Sequence, residues 1–287
     1  MRYIPKEIKG NVNISSKSPI KQLSSLLIAL TGAILIIYIL LGFSVNILAP
    51  RLPETVENSL SKLYKPIYFN KRINLNEEKK IQLLLDDITK TLKYQQKYQV
   101  YLIDNDNINA LALPGKIIVI FSGLLNELDS ENELSFVLGH ELGHFENKDH
   151  LKALGRNVVL FTLSTIVFGQ NNSLSNFIGR SLTKAEMKFS QTQETKADLY
   201  AVEVLNKRYK HVGGSTDFLK KLLKNTHTPK YFYLFATHPH PENRIKAITE
   251  EINQKKYPIN PTIPLNKSLK DNISKIVSPT ETPKNHR

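Results

Sequence analysis

The sequence predicts an α+β fold, predominantly helical, with a small sheet and one long apolar helix ahead of it. Three observations carry this. Residues 23–49 hold no charged side chain and lie between Lys21 and Arg51, which suits a single apolar helix. Beyond them, apolar residues recur every three or four positions in several stretches, the period of a helix with one buried face. Only two short runs, 100–104 and 116–121, are dense in β-branched residues, so the sheet is small. With 287 residues, the chain can hold one domain of ample core size plus appendages.

Residues 1–22 are basic: Arg2, Lys6, Lys9, Lys17 and Lys21 face only Glu7. The run 23–49 is long enough to cross a bilayer, and a soluble helix of that length would show a polar face. A cleaved signal peptide fits less well, because the leading segment is long and no small-x-small site follows the run. The positive-inside rule expects 1–22 in the cytoplasm, a single pass at 23–49, and a domain at 50–256 outside the cytoplasm, periplasmic or extracellular. Residues 76–94 read as a helix through Ile81, Leu84, Leu85, Ile88 and Leu92, and the two β-branched runs as strands.

Ser130 and Glu133 form an S-x-x-E capping box, so a helix starts there. Along it runs the most informative string of the chain, His140-Glu141-Leu142-Gly143-His144. Two histidines four apart project from one helical face and can grip a zinc ion. The glutamate between them stands one step round the helix, placed to take a proton from an attacking water. Val137 shares the histidine stripe, and Leu134, Leu138 and Phe145 form the adjacent one. Gly139 and Gly143 share the far side. Each costs about 1 kcal/mol against alanine in a helix, so close packing by another element is the expected reason for them.

A catalytic zinc site needs a third protein ligand. His150 stands at the third-ligand spacing of H-E-x-x-H-x-x-G-x-x-H, with Asn147 where that pattern has its helix-breaking glycine. Asparagine tolerates the left-handed conformation, so geometry leaves this rival open. The same class needs a methionine turn, and the only internal methionine, Met187, sits in a polar stretch without turn residues. The preferred ligand is Glu194. It lies four before Asp198 and so shares a helix face with it, beside an apolar stripe of Ala197, Ala201, Val204 and Leu205. One carboxylate can bind the ion while the other holds a ligating imidazole by its second nitrogen.

The apolar run 158–168 is shorter than a span. A single crossing there would put His144 and Glu194 on opposite sides of the membrane, so 154–168 reads as a core or membrane-skimming helix closed by a loop at 169–173. Helices are expected at 194–207, 215–225 and 241–254, and 257–287 as an extended or disordered tail rich in Pro, Asn, Ser and Lys. No cysteine is present, which rules out disulfides and a cysteine-linked lipid anchor. The formal net charge is +13, but basic residues are scattered and no aromatic-basic module appears. Contact with an anionic membrane surface is expected, not nucleic-acid binding.

The pattern resembles the gluzincin membrane peptidases that include HtpX, the CAAX prenyl protease, and the Oma-type and BepA-type proteases. The resemblance runs through Asn109-Ala-Leu-Ala-Leu-Pro114-Gly115, the strand 116–121, Ser122-Gly123, and Glu133 through His144 with Asn147 and Asp149. It continues through Glu194 to Asp198 and Thr237-His238-Pro239-His240-Pro241 with Arg244. Gln191 and Lys196 depart from it, where that family often has arginine and glutamate. The resemblance implies a zincin-like metalloprotease domain, one Zn2+ on His140, His144 and Glu194, Glu141 as base, and Asp198 behind the ligands.

The expected function is therefore zinc-dependent hydrolysis of peptide bonds in unfolded or membrane-associated proteins, in a protein quality control role. His238 is expected either to donate to the oxyanion or to occupy the open metal position, His240 to belong to an exposed turn, and Arg244 to brace the site by an ion pair. A substrate would add as a strand along the 116–121 edge, with Asn109, Ala112 and Ile118 lining the cleft. Two rivals remain: a membrane-anchored zinc-binding chaperone or interaction module without turnover, and a metzincin-like protease with His150 as ligand.

Overall fold

The charge-free run becomes helix α1, Pro19–Leu48, opened by a proline whose missing N–H is not needed in a first helical turn. A computed structural model describes residues 18–73, 75–92, 96–169, 188–225 and 228–267, with Ser173, Asn176 and Leu269. A single 3-10 turn, Ala49–Arg51, joins α1 to α2, Glu54–Phe69, a helix that the sequence reading did not anticipate. Its buried face carries Glu57, Ser61, Tyr64 and Tyr68, spaced by three or four residues. Helix α3, Leu75–Lys90, buries Ile81, Leu85 and Ile88 as their period requires. An Arg72–Glu78 ion pair ties its start to the sheet, and the backbone N–H of Leu102 donates to Glu78 Oε2 at 3.1 Å.

The sheet has strands β1 Gln99–Ile103, β2 Ala110–Leu113 and β3 Ile117–Phe121 in the order β1-β3-β2. β1 runs parallel to β3, and β2 antiparallel to it. The turn between β2 and β3 passes through Gly115 at φ 85° and Lys116 at φ 60°. This topology corrects the expected docking edge. β3 is central, and Ile118 pairs with Val100 on one side and Ala112 on the other. The strand beside the open edge is β2, whose alanine-rich sequence gave little strand signal.

Helix α4, Ser122–Glu127, leads into α5, Glu131–Glu146, which carries the histidine pair. After a left-handed corner at Lys148, α6 spans Asp149–Phe168. Then come α7 Gln191–Tyr209, α8 Asp217–Lys224, α9 Phe232–Thr237 and α10 Pro241–Lys255. The glycine pair of α5 does what its cost suggested. A Cβ on Gly139 would stand 3.0 Å from Ala201 Cα, and one on Gly143 only 2.7 Å from Ala197 Cα. The two backbones meet here, bringing the histidines of α5 over the first turns of α7.

Two other segments take definite form. α6 starts at Asp149; its first turns are buried, and beyond Leu154 only Ser164 is. α6 packs on α1 near Gly155 and Arg156, and Val158, Ile166 and Phe168 are exposed, so its second half is no core helix. Of the loop expected at 169–173, only Gly169 and Ser173 are described. Residues 257–265 are extended and tied to the domain. Val212 donates to the Pro258 carbonyl, Glu131 to Ile263 and Leu265 to Asp129, at 2.8–3.0 Å.

Candidate metal centre

Two capping boxes fix the helices that supply the donors. In α5 the Glu133 N–H donates to Ser130 Oγ at 3.1 Å, and the Ser130 N–H donates to Glu133 Oε2 at 3.0 Å. In α7 the Ser190 N–H donates to Gln193 Oε1 at 3.0 Å, with the Gln193 N–H returning to Ser190 Oγ. Glu194 follows in the first turn of α7 and faces His140 and His144 across the glycine contact.

His140 Nε2 and His144 Nε2 are 3.1 Å apart. Glu194 Oε2 lies 3.6 Å from the first and Glu194 Oε1 3.5 Å from the second. Donors bound to one tetrahedral zinc at about 2.0–2.1 Å would be separated by roughly 3.3 Å, so the triangle fits. The orientation of each ring is set from behind. His140 Nδ1 donates to Asp198 Oδ1 at 2.8 Å, and His144 Nδ1 to Asp149 Oδ2 at 3.2 Å. With their Nδ1 atoms held by carboxylates, both rings turn Nε2 toward each other and toward the Glu194 carboxylate, an arrangement that a proton or a metal cation relieves. The charges say the same. Burial alone would lower the His144 pKa, yet Asp149 and Glu194 push it up to about 9.

Arg244 braces the cluster as expected. Its Nε and Nη2 each donate to Asp198 at 2.7 Å, and its Nη1 lies 2.9 Å from Glu194 Oε2. Burial would raise both carboxyl pKa values. Arg244 holds Asp198 below the usual carboxylate range, and His238 and Arg244 hold Glu194 well below it. Burial and the nearby arginine together lower the His140 pKa. His238 Nδ1 is 3.0 Å from Glu194 Oε1 and 3.3 Å from His140 Nε2, so a fourth donor joins the group. Glu141 is buried, and its Oε2 has no hydrogen-bond partner. A narrow pocket beside it is walled by Ala110, Phe136, Val137 and Leu234.

The remaining expected residues fall as follows. His150 is outside the cluster: its Nε2 lies 3.2 Å from Glu57 Oε1 on α2, which removes it as the third ligand. α5 ends at Asn147 in a right-handed conformation, and the left-handed turn comes one residue later, at Lys148, whereas the metzincin pattern turns at the glycine position itself. Met187 lies outside the described residues. His240 is an exposed left-handed residue opening α10. Asn109 is buried, with its side-chain Oδ1 accepting from the Ala110 N–H at 3.0 Å. Ala112 is on β2, and Ile118 is fully enclosed in β3.

Three contributors escaped the sequence reading. Asp149 positions His144, and Gln193 in turn donates to Asp149 Oδ1 at 2.8 Å. Phe189 stacks on the His144 ring with centroids 3.9 Å apart. The capping box at Ser190 was the one available signal for this corner.

Residues 75–252 match peptidase family M48. The chain is 29% identical over 171 residues to the beta-barrel assembly-enhancing protease of Yersinia pestis, covering 55% of this chain and 35% of that protein. Metalloprotease LoiP of Escherichia coli K12 is 30% identical over 164 residues, 54% of this chain and 62% of its own length. The mitochondrial metalloendopeptidase OMA1 of Bos taurus is 29% identical over 170 residues, 54% of this chain and 32% of OMA1. The chain thus spans about a third of the first and last of these relatives and less than two thirds of LoiP. Because the match runs from α3 into α10 and takes in all four donors of the cluster, the chain belongs to peptidase family M48.

Proposed function

We propose that this protein is a membrane-anchored zinc endopeptidase acting on unfolded or membrane-associated polypeptides. The observation that carries this is the convergence of two imidazole Nε2 atoms and the Glu194 carboxylate beside the unpartnered Glu141 Oε2. A purely structural metal site would need no buried carboxylate held in reserve. Residues 23–49 cross the bilayer, residues 1–22 lie in the cytoplasm, and 50–256 form the peptidase domain outside it, as the basic N-terminal flank indicates.

Zinc, one ion on His140, His144 and Glu194, supplies Lewis acidity that polarises the scissile carbonyl and acidifies the attacking water. The protein's own groups do the rest. Asp198 and Asp149 keep the Nδ1–H tautomers, so both Nε2 atoms stay ligating. Arg244 offsets the charge of Asp198 and Glu194 and holds both carboxylates in place. Glu141 takes the water proton on its free oxygen and delivers it to the leaving nitrogen. His238, 3.0 Å from Glu194 Oε1 and 3.3 Å from His140 Nε2, would join the other donors in holding the ion. On withdrawing, it is placed to donate to the developing oxyanion.

The substrate strand adds to β2. In the antiparallel register the Phe121 N–H donates to the Asn109 carbonyl, so residues 110 and 112 turn their main-chain groups away from β3. The Asn109 side chain occupies the Ala110 N–H until a substrate carbonyl replaces it. Such main-chain recognition reads little side-chain sequence. Selection then falls on chains that are locally unfolded, as protein quality control requires.

The test is cleavage of casein by the detergent-purified full chain, with Glu141→Gln as control. Zinc-dependent cleavage that disappears in Glu141→Gln, with zinc still bound, supports the proposal. Full biological effect of Glu141→Gln would instead favour an anchored chaperone or interaction module. Replacing Glu194 and His150 separately by Ala and measuring zinc content tests the ligand set: unchanged zinc in Glu194→Ala would overturn it.

A further inference from the structure

We propose that the second half of α6 is embedded in the lipid bilayer against α1, so that the protein enters the membrane at two places. The two helices leave the domain side by side. α1 joins it through Ala49–Arg51, and the first turns of α6 are buried in it. They touch where a Cβ on Gly155 would stand 2.6 Å from Val45 Cγ1, and Arg156 Nη1 donates to Asn46 Oδ1 at 3.3 Å. On α1 the partly shielded positions are Gly32, Ile34, Tyr38, Gly42, Ser44 and Val45, with Ala49 buried; most recur every three or four residues, and residues 18–31 are all exposed. Counting thirteen residues along each helix from Val45 and Gly155 sets Phe168 level with Gly32, the point where the shielding ends. The pair is therefore antiparallel, and α6 turns back along the anchor.

The composition of α6 changes at the same level. Lys148, Asp149, Lys152 and Arg156 are charged, and no charge follows from Asn157 to Gly169. That apolar part is about 18 Å long at 1.5 Å per residue, over half of the roughly 30 Å hydrocarbon core. Its hydroxyls are all turned inward. Thr162 donates to the Val158 carbonyl at 2.9 Å, and Ser164 and Thr165 donate to that of Phe161 at 2.9 and 2.8 Å. α1 treats Ser24, Ser25 and Ser44 in the same way. Lipid requires this internal satisfaction; Ser59 on α2 and Thr249 on α10 make the same bonds, so the hydroxyls are compatible with lipid and the apolar face carries the assignment. The outward face is apolar: Ile166 is 74% and Phe168 62% exposed. It stands on a helix that packs against α1, whose own exposed surface is equally apolar, so lipid is the occupant. Arg156 marks the surface level, where a long charged side chain can reach water.

This inference rests on α1 crossing the bilayer, and the test separates the two. The chain has no cysteine, so single cysteines report cleanly. Full-length Ile166→Cys, Phe168→Cys, Leu40→Cys on α1 and Lys246→Cys on exposed α10 are reconstituted in phosphatidylethanolamine–phosphatidylglycerol vesicles and treated with N-ethylmaleimide. Because the thiolate in water is the reacting species, Ile166→Cys and Phe168→Cys should react on the order of tenfold more slowly than Lys246→Cys. They should match it after solubilisation in dodecyl sulfate. If both react as fast as Lys246→Cys while Leu40→Cys stays slow, the inference fails and the anchor stands. A fast Leu40→Cys overturns the anchor and this inference together. Protection seen in native membranes but not in the lipid vesicles would assign the face to a protein partner and overturn the lipid assignment.

Discussion

Gly143→Ala should loosen the metal centre from the side opposite its ligands. The added Cβ would stand 2.7 Å from Ala197 Cα and 3.0 Å from the Ala197 carbonyl oxygen. Both are backbone atoms, so no side chain can swing aside. Reaching ordinary contact at 3.4 Å requires α5 and α7 to separate locally by about 0.7 Å. His144 is the next residue, and its 3.5 Å approach to Glu194 bridges the same two helices. Ligand positions tolerate only about 0.2 Å. Overpacking costs about 1–3 kcal/mol, and alanine returns about 1 kcal/mol in helix propensity. The expected result is a modestly lower melting temperature in chelator, together with zinc affinity weakened by about tenfold or more, or roughly 1.4 kcal/mol per decade. Gly139→Ala also precedes a ligand, His140, but its nearest backbone contact is longer, at 3.0 Å, and meets α7 at Ala201, one turn further from Glu194, so it should do less. Chelator-competition titration and thermal melts of the detergent-purified chain measure both. Parental zinc affinity in Gly143→Ala, or a larger loss in Gly139→Ala, would refute the close-contact reasoning.

Asp198→Asn should lower zinc affinity by about 10–100-fold, because it unlocks the His140 tautomer and leaves the buried Arg244 short of a partner; the same chelator titration measures it. A pH effect follows from Glu57. Burial would raise its pKa, but His150 and Lys148 hold it at about 2 against an ordinary 4.5. The folded state therefore binds fewer protons than the unfolded one, and this stabilisation is full above about pH 4.5 and lost as pH falls toward 2, on the order of 3 kcal/mol in all. His150, lowered by burial, acts in the same direction. Urea midpoints of Glu57→Gln should show less loss than the parent over that window, and parallel curves would contradict it. Asn132→Ala removes the acceptor of the Ile263 N–H, a 2.9 Å bond that pins the 257–265 segment. It should cost about 1 kcal/mol in urea unfolding and raise protease sensitivity near Ile263.

Local signals proved readable where one residue type does one job. The Ser130–Glu133 box announced α5, the glycine pair announced its close neighbour, and the four-residue spacing from Glu194 to Asp198 announced a carboxylate pair that meets the two histidines. Helix α2 escaped because its buried face mixes Glu57 and Ser61 with tyrosines and contains Pro66, so no apolar stripe stood out. Strand order is long-range information, which is why 116–121 was mistaken for an edge. Asp149 could not be assigned to His144 because the contact depends on the left-handed corner at Lys148, a residue type that seldom adopts it. The exposed half of α6 was unreadable for another reason: its partner surface is over a hundred residues earlier in the chain.

Asp149 is both the first residue of α6 and the hydrogen-bond partner of His144. On the proposed membrane placement, the same helix that reaches lipid at Arg156 also touches the ligand shell seven residues earlier, about 10 Å above the surface at 1.5 Å per residue. An extended polypeptide climbs about 3.3–3.6 Å per residue, so a target still rooted in that bilayer first presents a bond to the ion three or four residues after it emerges. On that placement α6 would be a measuring stick as well as a tether: the distance from lipid, more than any motif, would decide where a rooted chain is cut.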